Sequence, residues 1–138
     1  YTLERDGDVQ IVNYFSFSYK TNISDNIESS LSVFHTVFEE DQVFQPQFLI
    51  DILTSYSNNK YSLSLGANME LENYGLNFKN ELFKMKPFID IYFNSTYFLS
   101  KNIELNFNIN NILNRYNERF FMYPELGTNF IVGVKWIF

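Results

Sequence analysis

From residue 9 onward, apolar and polar side chains alternate with a period of two, the period of a pleated strand with one greasy and one wet face. The cleanest run is Tyr61 to Leu71, where Tyr61, Leu63, Leu65, Ala67, Met69 and Leu71 interleave with Ser62, Ser64, Gly66, Asn68 and Glu70. A helix would scatter both sets around its axis. Ile103 to Asn110 repeats the pattern, with Ile103, Leu105, Phe107 and Ile109 opposite Glu104, Asn106, Asn108 and Asn110. Thr128 to Phe138 sets Phe130, Val132, Val134, Trp136 and Phe138 against Asn129, Gly133 and Lys135, with Ile131 and Ile137 as exceptions. Four segments are noisier. The first has Ile11, Phe15, Phe17 and Tyr19 opposite Ser16, Ser18 and Lys20, blurred by Val12 and Tyr14; the second has Ile27, Leu31, Val33 and Val37 with His35 among them. The others set Phe48, Ile50, Ile52 and Tyr56 against Asp51, Ser55 and Ser57, and Ile89, Ile91, Phe93, Tyr97 and Leu99 against Asp90, Asn94 and Thr96. The alternation predicts seven strands, near 9–20, 27–38, 48–56, 61–71, 88–99, 103–111 and 128–138, with residues 1–8 an external loop or frayed end.

The links between these strands alternate in length. Short ones fall near Asn22 to Asn26, Ser57 to Lys60 and Ser100 to Asn102, rich in the Asn, Asp and Ser that turns prefer. Long ones run over Glu39 to Gln47, Glu72 to Lys86 and Leu113 to Gly127. Tight turns at one end and extended loops at the other are the habit of an antiparallel up-and-down transmembrane β-barrel. Most strands are also longer than the usual 5–6 residues of soluble sheets and near the length a tilted membrane strand requires. In such a barrel the apolar set faces lipid, while Ser62, Ser64, Asn68, Glu70, Glu104, Asn106, Asn108 and Asn110 face an aqueous lumen. Tyr61, Tyr97 and Trp136 stand near strand ends, where amphipathic rings suit a membrane boundary. The competing arrangement is a soluble sandwich whose polar face meets solvent.

Composition supports strands and narrows the chemistry. There are 16 Phe, 10 Tyr and 1 Trp among 138 residues, with 18 Asn and a single Ala, a poor recipe for helices. The absence of cysteine removes disulfides, thiolate metal sites and cysteine nucleophiles, and the lone His35 removes paired-imidazole metal sites. No metal or other cofactor is expected. A net charge of −6 argues against nucleic acid as a partner. The longest apolar runs, such as Phe48-Leu49-Ile50 and Phe120 to Tyr123, fall far short of the roughly 20 residues of a spanning helix. The opening Tyr1-Thr2-Leu3-Glu4-Arg5-Asp6 has neither an initiator Met nor the apolar stretch of a signal peptide, so a mature product, an excised piece or a fragment is expected.

The stretch from Phe88 to Phe138 adds a resemblance. Asn111-Ile112-Leu113-Asn114-Arg115-Tyr116 is similar to the Asn-rich block of type N-x-[FL]-[ND]-[KR]-x-Y, with Tyr116 directly after Arg115. Tyr123-Pro124-Glu125-Leu126-Gly127-Thr128-Asn129-Phe130 resembles a second block, Y-P-x-P-G-R-x-F, with Leu126 replacing the second Pro and Thr128 the Arg. Both blocks belong to the C-terminal end of the TonB-dependent outer-membrane receptors. The row Phe130, Val132, Val134, Trp136 and Phe138, ending on an aromatic ring, is similar to the signal read by the outer-membrane barrel-assembly machinery.

The resemblance implies the last seven or so strands of a 22-stranded barrel in the bacterial outer membrane, with the remaining strands and the plug carrying the TonB box supplied elsewhere. It implies no covalent chemistry, and TonB-dependent transport of a scarce nutrient such as a siderophore-borne iron chelate or cobalamin. With Phe138 on the periplasmic side, the three long links lie outside the cell, as do residues 1–8. A second count makes Tyr1 to Arg5 an eighth strand, giving a small self-contained barrel with a structural or adhesion role.

Candidate chemistry beyond transport is thin. His35 could be a base beside Glu28 or Glu40, but it shares the apolar parity of Val33 and Val37, which suits an interfacial ring at the outer rim. Glu39-Glu40-Asp41 is a solvated loop run or a Ca²⁺ or cation site. The sequons at Asn22 and Asn94 read as accidental, and Pro87 and Pro124 occupy a strand entrance and a loop.

Overall fold

The computed structural model describes the backbone of every residue except Tyr1, Asp6, Gly7 and residues 39–42, and the side chains of residues 12–38 and 43–138. Twelve strands follow in order among the described residues: β1 (Thr2–Arg5), β2 (Asp8–Ser24), β3 (Ile27–Phe38), β4 (Phe48–Ser57), β5 (Tyr61–Leu71), β6 (Tyr74–Leu76), β7 (Leu82–Lys84), β8 (Phe88–Ser100), β9 (Ile103–Asn110), β10 (Glu118–Phe120), β11 (Tyr123–Pro124) and β12 (Asn129–Trp136). Eight of them form one antiparallel meander, β1-β2-β3-β4-β5-β8-β9-β12. The pairs β6-β7 and β10-β11 are separate hairpins within the two long links after β5 and β9.

The seven long strands fall where the alternation places them. Three details differ. Thr2–Arg5, expected as loop or frayed end, pairs with Asp8 to Ile11 because the local hairpin satisfies backbone groups that a loose end would leave to water. β2 is accordingly longer than expected, at 17 residues. The long links also carry short strands that the alternation does not predict: Tyr123 and Pro124 pair with Glu118 and Phe120 ahead of the last strand, which begins at Asn129.

Register joins the individual alternations into two continuous faces. Tyr19, Leu31, Ile52, Ala67 and Ile91 are direct cross-strand neighbours across five strands. Leu65, Phe93, Ile109 and Phe130 form a second apolar row. The other face carries Glu28, Ser55, Ser64, Asn94 and Asn108 in one row and Asp51, Asn68 and Asp90 in another. Short polar side chains there bond across strands: Ser55 to Ser64 at 2.9 Å, Thr96 to Asn106 at 2.9 Å and Asn110 to Asn129 at 3.0 Å. Lys20–Glu28 and Lys135–Glu104 pair at 2.9 and 3.2 Å near the turn end.

No second layer covers the apolar face, and only the long links lie over one end of the polar one. Met85 and Phe88 are the only buried hydrophobic residues among those described, and neither lies on the apolar face of the meander. Leu65 is 54% exposed, Val132 75% and Trp136 65%. A water-soluble sheet would bury this face against a helix or another sheet. Here the apolar face is a continuous outer surface.

One close fit locks the polar face. A Cβ on Gly66 would overlap the phenol ring of Tyr92, its direct partner on β8, so the ring rests over the missing side chain. Gly66→Ala is expected to displace the ring and cost about 1–3 kcal/mol. Urea midpoints in detergent check this: the penalty should vanish in a Tyr92→Ala background, and an undiminished penalty there would reject the ring as its cause.

Candidate functional site: loops gathered over one end of the polar face

The three long links converge at one end of the sheet. Phe44 N–H donates to the Tyr74 carbonyl (2.7 Å) and Gln47 N–H to the Glu72 carbonyl (3.3 Å), tying the first link to the second. The Phe44 ring meets Phe120 edge-on at 5.2 Å, tying the first to the third. Phe121 sits between Phe78 and Phe83 (5.5 and 5.0 Å), and Asn73 donates to the Arg119 carbonyl, tying the second to the third. Asn73 is buried, and its Oδ1 has no partner among the described residues.

The third link is folded by carboxamides that stand in for missing backbone partners. Asn111 ends β9 in the left-handed region (φ 49°), which Asn tolerates better than most residues. Its side chain donates to the carbonyls of Arg115 (2.8 Å) and Leu126 (3.1 Å) and accepts from Arg115 N–H (2.9 Å). Asn114, also at φ 49°, accepts from Thr128 N–H, and a Cβ on Gly127 would come within 2.7 Å of that same oxygen. Asn117 docks the link on the sheet, donating to the Ile89 carbonyl (2.7 Å) and accepting from Ile89 N–H (3.3 Å). The spacing 111, 114, 117 is thus a device for folding the loop.

The link lies on the polar side of the sheet. Arg119 Nε is 3.0 Å from Glu70 Oε1, and its guanidinium carbon sits 4.4 Å over the Phe88 ring. Glu70 and Phe88 are direct partners on β5 and β8, on the face that carries Ser64 and Asn106. Beneath the link is a cleft of about 270 Å³ lined by Phe88, Asp90, Asn110, Asn117, Arg119 and Glu125 among others. A second, apolar hollow of about 410 Å³ lies between Val12, Tyr14, Phe38, Phe44 and Leu49. Val12, Tyr14, Phe34, Phe38 and Leu49 are intruders on the polar face, and register collects them at the loop end. Phe44, Glu72 and Met122 hold positive φ (59°, 55° and 61°) within the same cluster, conformations costly for side chains of their kind.

The residues singled out by sequence divide cleanly. Ser62, Ser64, Asn68, Glu70, Glu104, Asn106, Asn108 and Asn110 all share the polar face. Phe130, Val132, Val134 and Trp136 share the apolar face, and Phe138 continues past β12 with its ring 5.4 Å from Trp136. Asn111, Asn114 and Gly127 build the loop, whereas Arg115, Tyr123 and Pro124 are exposed on it. Tyr116 donates to Glu118 (3.0 Å), a bond that pushes its phenol above the usual tyrosine pKa. His35 stacks on Phe48 at 4.1 Å and near Phe15 at 6.4 Å, while Glu28 stands on the opposite face bound to Lys20. The run Glu39-Glu40-Asp41 lies outside the described residues. Sequence reasoning did not single out Asn117, Arg119, Glu125, Phe44 or Phe121. The three-residue spacing of the Asn residues was the one available signal. No family model, curated protein or solved structure matches the chain.

Removing one carboxamide leaves buried backbone groups unpaired, at about 1–3 kcal/mol. Asn111→Ala and Asn117→Ala are therefore expected to loosen residues 113–127 while the meander persists. Limited proteolysis should show faster cleavage within that link alone; unchanged cleavage would show that the loop is held by something else.

Proposed function

We propose that the chain is wall and external loops of an outer-membrane transport barrel of the TonB-dependent receptor type, taking up a scarce nutrient without covalent chemistry. The observation that carries this reading is the uncovered apolar face backed by a hydrogen-bonded polar one. Backbone groups of each strand are paired laterally, so the sheet can face hydrocarbon without orphaned N–H or C=O groups except at its two edges. The outer edge of β2 from Val12 to Ser24, on the side away from β3, and the outer edge of β12, on the side away from β9, have no second strand partner among the described residues. In this reading, further strands between them complete the closure.

Dimensions and rings agree with a bilayer. β5 has 11 residues, about 33 Å along the strand, and a tilt of about 45° brings that near the roughly 25 Å apolar band of such barrels. Tyr56, Tyr61, Tyr97 and Trp136 mark the turn end of the apolar face, with Tyr61 and Tyr97 5.3 Å apart. Phe15, His35 and Phe48 mark the loop end. The partners of this reading are outer-membrane lipid, the remaining strands and plug, the TonB complex and the barrel-assembly machinery. The small closed barrel remains the second reading, favoured by the eighth strand. β1 covers only four residues of β2, however, and leaves most of that edge open.

The chain has no cysteine, so single introduced thiols report cleanly. Expressed within its native reading frame in a bacterial outer membrane, Leu65→Cys, Phe107→Cys and Val132→Cys should react with a lipid-phase maleimide. Ser64→Cys and Asn106→Cys should react with a water-soluble one. Equal aqueous labelling of all five would sink the membrane reading. A companion variant, Val132→Arg, should lower insertion by about 2–4 kcal/mol, measured by detergent-to-bilayer folding.

A further inference from the structure

One stretch of a single cross-strand row puts hydroxyls on the outer face. Thr21, Ser29 and Thr54 are direct neighbours across β2, β3 and β4, on the side that carries Tyr19, Leu31 and Ile52. We infer that these hydroxyls, with Tyr56, hold the ester carbonyls of a diacyl phospholipid in the leaflet at the turn end. The inference rests on the membrane reading for this face being turned to lipid.

Depth is the first argument. The same row continues across β5, β8, β9 and β12 as Leu65, Phe93, Ile109 and Phe130, all apolar. Thr21 and Thr54 lie three residues from the strand ends Ser24 and Ser57, and Ser29 lies two from Ile27. Phe93, by contrast, lies seven residues from Ser100, and Ile109 six from Ile103. The row is polar where it runs close to the turn end and apolar where it climbs toward the middle of the sheet. Tyr56 follows Thr54 by two residues, which at a strand tilt of about 45° puts the hydroxyls about 5 Å inside the boundary ring. Headgroups give way to hydrocarbon at that level, and the ester carbonyls of a phospholipid lie there.

Hydrogen-bonding capacity is the second. Ser29 Oγ is 3.0 Å from Thr54 Oγ1 and 3.4 Å from the Leu53 carbonyl, so internal bonds use at most two of the three hydroxyl protons. Thr21 has no hydrogen-bond partner among the described residues. Tyr56 accepts from Asn58 Nδ2 at 2.7 Å and keeps its own proton to give. Donors thus remain on β2 and β4, about 10 Å apart across two strand spacings, close to the width of a two-chain lipid. An ester carbonyl accepts and cannot donate, which is what these groups lack. No Asp, Glu, Lys or Arg stands on this face of β2–β4 among the described residues, so the row reads carbonyls and not headgroup charge. Tyr19 and Tyr56 flank the short hydroxyl side chains and project past them, which admits a slender lipid and holds a second sheet face away.

The test mixes the full outer-membrane protein in detergent with equimolar dimyristoyl phosphatidylcholine and its di-O-tetradecyl ether analogue, which lacks only the carbonyls. Retained lipid is counted by native mass spectrometry. The ester lipid is expected to be retained over the ether by about fivefold, the worth of one net hydrogen bond. Thr21→Val combined with Thr54→Val keeps side-chain shape and should remove most of that preference. Ser95→Ala, a hydroxyl on the same face outside the row, should leave it unchanged. The same ratio in wild type and double variant, an equal loss in Ser95→Ala, or a dependence on phosphatidylglycerol in place of phosphatidylcholine would overturn the inference. So would a protein dimer that the double variant dissociates. Thiol labelling is read separately: aqueous reaction of Val132→Cys defeats the membrane reading, whereas a normal labelling pattern without ester preference defeats this inference alone.

Discussion

The structure depends on lateral pairing: a strand with a period of two has no stable face until its neighbours bring matching positions alongside it. Each long strand alternates on its own, but the continuous apolar surface exists because odd positions of β2, β3, β5, β8 and β9 meet even positions of β4 and β12. A slip of one residue between any two of them would invert everything beyond it. The polar face resists such a slip. Its short hydroxyl and amide bonds, the Tyr92 ring seated on Gly66 and the ion pairs at the turn end all require the observed register. Register is thus specified from the wet side.

A sheet so built has trouble only at its ends and edges, and the loop end shows how the ends are managed. Strands that stop without a helix or second sheet to receive them leave backbone groups unpaired. Asn111, Asn114 and Asn117 fill that need with side-chain amides, each able to donate and accept like a peptide. The resulting loop is rigid enough to carry Arg119 to Glu70 and to hold Phe120 and Phe121 against the other two links. Backbone strain at Phe44, Glu72 and Met122 is borne there because the three links brace one another.

The seven long strands and the division into two faces were legible from alternation alone, since a period of two is a local property and most polar-face positions obey it. The site was much less legible. Arg119 and Glu125 lie in a loop whose sequence shows no period, and nothing in the string places Arg119 over Phe88, 31 positions away. Thr2–Arg5, expected as loop in one count and as a strand only in the second, were obscure for a related reason: four residues of β1 are too few to show an alternation, and only the pairing with β2 makes them a strand. The motif residues were found for their resemblance, yet Asn111, Asn114 and Gly127 are explained by how they fold the loop.

The departures from alternation carry information of their own. Val12, Tyr14, Phe34, Phe38 and Leu49 weaken the first three long strands as amphipathic patterns, and taken singly each looks like noise. Register places them together, next to Phe44 and one strand from Glu70. The intruders Leu53 and Phe98 lie toward the turn end, so the loop-end group is a local concentration and not an even sprinkling. An apolar island inside an otherwise polar face is poorly hydrated, and it stands beside the gathered loops. The same end therefore offers an apolar wall on β2–β4 and a hydrogen-bonding cleft on β8–β12, with the Arg119–Glu70 pair as the divide. Under the proposed transport reading, a mouth with two unlike halves would hold a ligand by one face and orient it by the other, which a uniformly polar ring of side chains could not do.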